Sequence, residues 1–153
     1  MPDEPETRSS RKRRAIMEAA TRLFLDKGYD STTMDDIATL ADVSKPTVYS
    51  HFADKEKLFA EIVAATTRDI DAVVRSVTDS LVASRTPERP LAELGRRFLR
   101  ALMQPELIRL RRLVIANAER FPEVAGAWYE QGFDRVLAAL ARSFKNFAAA
   151  KML

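Results

Sequence analysis

The chain has 153 residues, 46% hydrophobic and 31% charged, enough apolar mass for one packed domain or a small domain joined to a larger one. It has no cysteine, which excludes disulfides and thiolate metal sites, and its single histidine, His51, excludes a histidine metal cluster, so neither metal nor cofactor is expected. The net charge of +3 is mild, but over residues 8–27 Arg8, Arg11, Lys12, Arg13, Arg14, Arg22 and Lys27 are opposed only by Glu18 and Asp26, a field suited to a polyanion.

Four glycines, seven prolines and few β-branched runs point to helices rather than sheet, an all-α fold. Residues 1–8, with Pro2 and Pro5 and no periodicity, read as a disordered arm. Ser9 or Ser10 is expected to cap a first helix whose buried face is Ile16, Ala20, Leu23 and Phe24, stopped at Gly28. Thr33-Met34-Asp35-Asp36 has the form of a capping box for a second helix with Ile37, Leu40 and Ala41. Asp42-Val43 turns the chain. Ser44 caps a third helix, with Pro46 in its first turn and Val48 and Phe52 inward. Three short helices with a tight turn between the second and third make a helix-turn-helix pattern over residues 9–53.

Asp54 caps a long fourth helix, with Phe59, Ile62, Val63, Ile70, Val73, Val74, Val77 and Leu81 in helical period. Thr86-Pro87-Glu88 and Pro90 precede a fifth helix carrying Leu91, Leu94, Phe98 and Leu102, which Gln104-Pro105 ends. A sixth runs from residue 106 to about 119, apolar nearly all round at Leu113-Val114-Ile115-Ala116, and a seventh starts at Phe121-Pro122 and carries Trp128, Tyr129, Phe133, Val136, Leu137, Leu140 and Phe144. No apolar stretch approaches the roughly 20 residues that cross a bilayer, and the N-terminus lacks a secretory h-region, so a cytoplasmic location without membrane contact is expected.

The stretch TMDDIATLADVSKPTVYSHFADKEKLF, Thr33 to Phe59, resembles the DNA-binding signature of the TetR family of bacterial transcriptional regulators. The resemblance covers roughly residues 12–60 and rests on coincident features: the Thr-capped helix with Ile-Ala, the Val-Ser turn, Thr-x-Tyr-x-His-Phe, and Lys-Glu-x-Leu opening the long helix. Asp42 departs from it, standing where the family usually has glycine; aspartate tolerates left-handed backbone better than most residues.

The chemistry of these residues agrees. A recognition helix enters the major groove by its N-terminal end, which here holds Lys45 and Thr47. Lysine can donate to guanine O6 and N7, and threonine can donate to a base acceptor or touch a thymine methyl. Pro46 adds an apolar contact beside the Ser44 cap. Tyr49, His51 and Lys55 fall where hydroxyl, ring N–H and ammonium reach phosphates, and Thr33 with the Met34 N–H forms a helix N-terminus suited to another. Taken singly, Tyr49 also fits a core-edge aromatic, His51 a helix-end cap and Lys55 a surface lysine. The resemblance implies DNA contacts at Thr33, Lys45, Thr47, Tyr49, His51 and Lys55.

No catalytic grouping follows residue 60, so an enzyme is not expected. The resemblance implies that residues 54–153 form a helical effector-binding and dimerisation domain around a small apolar or amphipathic effector, with Phe98, Leu102, Met103, Leu113, Asn117, Phe121, Trp128 and Phe133 as lining candidates. It implies a repressor that reads double-stranded DNA at a palindromic operator as a homodimer. An effector bound in this domain would change the separation of two reading heads set about 34–36 Å apart. Members usually carry two further helices after the seventh, which pair as the dimer interface. Here there is room only to extend helix seven or add one short helix, so the domain reads as shortened: either the gene product is truncated, or dimerisation uses helix seven and the Phe144/Phe147 end. The alternative is a helical interaction protein that keeps the reading head without functional dimerisation.

Overall fold

The computed structural model describes residues 7–66 and 88–149. Of the arm expected over residues 1–8, residues 1–6 lie outside the described residues, as do the fourth helix beyond residue 66 with Ile70 to Leu81, the Thr86-Pro87 break and the last four residues. Thr7 and Arg8 are instead the cap and first residue of the first helix. Every regular element among the described residues is helical, and they divide into two compact units, one reaching to Ile62 and one starting at Val63.

In the first unit, α1 (Arg8–Lys27) is capped by Thr7, whose Oγ1 accepts from the Ser10 N–H at 3.1 Å. This corrects the expectation of a cap at Ser9 or Ser10. Ser10 is instead a first-turn donor, its hydroxyl bonding the Thr7 carbonyl at 2.8 Å. The helix buries Ile16, Ala19, Ala20, Leu23 and Phe24 and stops at Gly28, where φ is +83° and the N–H returns to the Phe24 carbonyl at 3.0 Å.

Helix α2 (Met34–Leu40) starts with the capping box read from the sequence: Thr33 Oγ1 accepts from the Asp36 N–H and Asp36 Oδ2 from the Thr33 N–H, both at 3.1 Å. Thr33→Ala is expected to cost about 1 kcal/mol of head stability in urea unfolding. The chain then turns through Asp42 at φ +52°, the left-handed conformation aspartate was read to tolerate. Helix α3 (Lys45–His51) begins on the Ser44 cap with proline in its first turn, and α4, described over residues 55–66, on Asp54, whose Oδ1 accepts from the Lys57 N–H at 2.7 Å.

These helices close over one core. Phe24, Tyr29 and Phe59 pack as a triad with ring centroids 5.2 to 5.7 Å apart, and Ile37, Val48, Phe52 and Leu58 are fully buried around it. Because Leu58, Phe59 and Ile62 belong to this core, the first unit runs past the boundary at residue 53 suggested by the helix-turn-helix pattern alone.

The second unit comprises α5 (Glu88–Leu102), α6 (Pro105–Ala116), α7 (Pro122–Trp128), a π-helical segment (Tyr129–Asp134) and α8 (Arg135–Ala149). α6 packs against both α5 and α7, with Leu110, Val114, Phe121, Val136 and Phe147 buried. Two expectations are corrected here. The seventh helix is interrupted by the π segment, which changes the phase of the side chains beyond it. At the Phe144/Phe147 end, to which dimerisation was assigned, Phe144 is 45% exposed but Phe147 only 3%, so the two do not form one free face.

Candidate nucleic-acid interface

The surface of α2 and α3 follows from their caps and their buried anchors. Val48 fixes α3 to the core, so the first turn before it, Lys45 and Pro46, is exposed and Thr47 half-buried. The Ser44 and Thr47 hydroxyls pair at 2.8 Å, and the Thr47 N–H reaches Ser44 Oγ at 3.3 Å. Tyr49, one turn on, is 45% exposed, and His51 is half-buried with its ring 6.5 Å from that of Phe52.

A shallow cleft of about 290 Å³ brings together five of the predicted residues, Thr33, Met34, Lys45, Tyr49 and Lys55. The other four, Ser44, Pro46, Thr47 and His51, do not line it. Sequence reasoning missed Asp30, Thr32 and Asp35, which complete its wall. Met34 is buried by its side chain, so only its backbone N–H is available to a ligand.

The two lysines differ. Lys45 Nζ is exposed and paired with Asp35 of α2, at 2.8 Å to one carboxylate oxygen and 3.0 Å to the other, and that hydrogen bond raises the lysine's pKa above 10.5. Lys55 turns inward. Its ammonium donates to the carbonyls of Tyr29 at 2.9 Å and Thr32 at 2.8 Å and lies 4.3 Å from the Tyr29 ring centre. It braces the loop between α1 and α2 while still bordering the cleft. Thr32, fully buried, ties the same loop by donating to the Gly28 carbonyl at 2.8 Å.

Asp36 carries the clearest pH dependence. The Thr33 backbone N–H, and after it the Thr33 hydroxyl, holds its carboxyl below the ordinary 3.8. A depressed carboxylate stabilises the fold above its unfolded value, and the contribution is lost as pH falls through the folded value. Head stability should therefore decline below pH 3.8, and Asp36→Asn should remove part of that decline in an acid titration followed by circular dichroism.

Cations also crowd the start of α1, where Arg8, Arg11 and Lys12 are exposed and no acid occupies the first turn. Positive charge at a helix N-terminus opposes the macrodipole, and an anion there relieves it. Arg13 is spoken for, ion-paired with Glu61 and stacked 5.1 Å over Phe52.

In the second unit a half-open cavity of about 260 Å³ is lined from α5 by Phe98 and Leu102, from α6 by Leu107, Arg111 and Ile115, and from the following run by Trp128, Tyr129, Gly132, Phe133 and Val136. Phe98, Leu102, Trp128 and Phe133 stand where expected. Met103, Leu113, Asn117 and Phe121 do not line it. Met103 is 66% exposed, Phe121 is core, and Asn117 finishes α6, its amide donating to the Leu113 carbonyl at 2.8 Å. Among the described residues no group of His, Cys, Asp and Glu is arranged to hold a metal ion, and no helix is long and apolar enough to cross a membrane.

Two family models match the chain: bacterial regulatory proteins, tetR family, over residues 16–62, and AefR-like transcriptional repressor, C-terminal domain, over residues 89–153. The chain is similar to the crystal structure of a protein from Mesorhizobium loti MAFF303099 assigned to the TetR-family transcriptional regulators, with 49% identity, 95% of this chain and 72% of that one covered, and a TM-score of 0.87. It is also similar to the flavonoid-responsive regulator FrrA, with 30% identity, 92% and 69% covered, and a TM-score of 0.72. Among curated proteins it is 34% identical over 93 residues to the HTH-type transcriptional regulator YhgD of Bacillus subtilis (strain 168), covering 61% of this chain and 45% of YhgD. The match thus spans less than half the length of that relative.

Proposed function

The chain belongs to the TetR family of bacterial regulatory proteins, and we propose on that basis that it is a sequence-specific DNA-binding transcriptional regulator and not an enzyme. It acts in the cytoplasm as a repressor released from a palindromic operator by a small-molecule effector. One observation carries the reading: Val48 is fully buried while Lys45 and Pro46, one turn before it, are exposed beside a cleft that also holds Thr33, the Met34 N–H and Tyr49. A core-anchored helix with an exposed donor-bearing first turn suits the major groove.

In this reading Lys45 and Thr47 donate to base edges, Pro46 packs against them, and Ser44 sets the turn. Thr33, Met34, Tyr49 and His51 hold phosphates on the groove walls. Lys55 borders the cleft and adds its positive charge to the attraction for a phosphate, as does the cationic start of α1. The first unit, reaching to Ile62, supplies the reading head, and the second, from Val63, the effector-binding and dimerisation region. Repression is supported by the repressor family that residues 89–153 match, and a small-molecule effector by the cavity and by the likeness to a flavonoid-responsive protein.

Selection of bound duplexes from random DNA at fixed salt, with sedimentation of the resulting complex, tests this. A palindromic sequence bound by two chains is expected. Failure to enrich any sequence would overturn the reading, and one chain on one half-site would favour a head that has lost functional dimerisation.

A further inference from the structure

Resting on the effector reading, we propose that the cavity of the second unit takes a small, monoanionic and otherwise apolar molecule, an alkyl or aryl carboxylate, with Arg111 as its anion-binding residue. Among the described residues the wall is apolar apart from a few side-chain groups, those of Arg111, Trp128 and Tyr129, and each of these can donate a hydrogen bond. No carboxylate is among them. Arg111 is the one charged residue among the described lining residues, it is half-buried, and its guanidinium has no hydrogen bond or ion pair with a described residue. Elsewhere in the unit Arg96 and Arg97 both hold Glu93, and Arg109, Arg120 and Arg135 have partners; what sets Arg111 apart from the remaining arginines is its place in the cavity lining.

Position follows from helical spacing. Leu107, Arg111 and Ile115 fall four residues apart on α6, so the guanidinium stands between two aliphatic side chains that would flank an apolar body. A guanidinium against a low-dielectric wall gains more from a carboxylate than one in open water, and its planar fork binds both oxygens. The π segment contributes Tyr129, Gly132 and Phe133 to the opposite wall, so an irregular turn of helix borders the cavity, as such segments often do at ligand sites. A volume of about 260 Å³ at ~30 Å³ per water-sized group holds roughly nine non-hydrogen atoms. Octanoate and 3-phenylpropanoate, roughly one or two atoms larger, fit a cavity that is open on one side.

Trp128 lines the cavity and is the only tryptophan of the chain, so its fluorescence reports occupancy directly. The full chain is titrated with octanoate, 3-phenylpropanoate, 1-octanol and octylammonium, with calorimetry alongside. At least one carboxylate is expected to bind about ten- to a hundredfold more tightly than 1-octanol; which one separates an aliphatic from an aromatic source. Arg111→Gln should erase that preference while leaving 1-octanol binding unchanged, and Arg111→Lys should keep part of it, each variant first checked for native helix content. Equal binding of carboxylate and alcohol, or tighter binding of octylammonium, would overturn the proposal and leave the effector reading standing. If no probe perturbs Trp128, the cavity is closed to molecules of this class and both fall.

Discussion

Lys45→Ala is expected to weaken discrimination at a single operator base pair by on the order of 1–3 kcal/mol, leaving the remaining positions read as before. The side chain stands on the exposed first turn of α3, ahead of the anchoring Val48, the position from which a recognition helix meets base edges. In the free chain its ammonium is held by Asp35, so binding guanine O6 and N7 means exchanging a carboxylate on α2 for the base. Both partners are more than half exposed, and such a pair is weak, so the exchange is easily made. Asp35→Asn should accordingly raise affinity for duplex DNA in general. Competition binding against single-base operator variants measures both effects. Unchanged discrimination in Lys45→Ala would show that another residue reads that base.

Lys55→Met is expected to destabilise the head by on the order of 2–4 kcal/mol, seen as faster hydrogen exchange at the core amides of Ile37 and Val48. An ordinary surface lysine would cost within about 0.5 kcal/mol. The difference arises from what the ammonium touches: two carbonyls, Tyr29 and Thr32, and the Tyr29 ring, itself part of the aromatic triad with Phe24 and Phe59. Removing the charge takes the ammonium donor from both part-buried carbonyls, of which that of Tyr29 keeps the Thr32 N–H at 3.3 Å. An exchange rate like that of the unaltered chain would mean that Lys55 acts only at the surface.

What the sequence made legible was what is decided locally. The Thr33–Asp36 box, the Ser44 cap with Pro46, the positive φ of Asp42 and the Gly28 stop each depend on residues within four positions, and each is present. Thr7, Ser9 and Ser10 are all competent caps, so local rules could not choose among them; the hydrogen bonds between Thr7 and Ser10 do. Five of the nine interface candidates line one cleft, but the partners of the two lysines were not legible. Lys45–Asp35 and Lys55–Tyr29 join residues 10 and 26 positions apart, a matter of packing.

Phase explains the cavity. Lining expected at Leu113 and Asn117 was displaced by two residues from Arg111 and Ile115 of the stripe that faces it, while Phe121 lies beyond the end of α6 in the core. Two residues turn a helix by about 200°, to the opposite face. Arg111 was passed over because a cation is not expected on an apolar wall, and Tyr129, Gly132 and Val136 because the π segment shifts the register of the helix that carries them. An alternation of Trp128-Tyr129 with Gly132-Phe133 was the available signal.

The central claim is that α3 and the start of α2 meet the duplex. Amide hydrogen exchange of the full chain, with and without the selected operator, tests it most directly. Slowed exchange over residues 33–36 and 44–51, with residues 105–149 unaltered, is the result expected. Slowing confined to the C-terminal helices, with Ser44 to His51 exchanging as in the free chain, would contradict it.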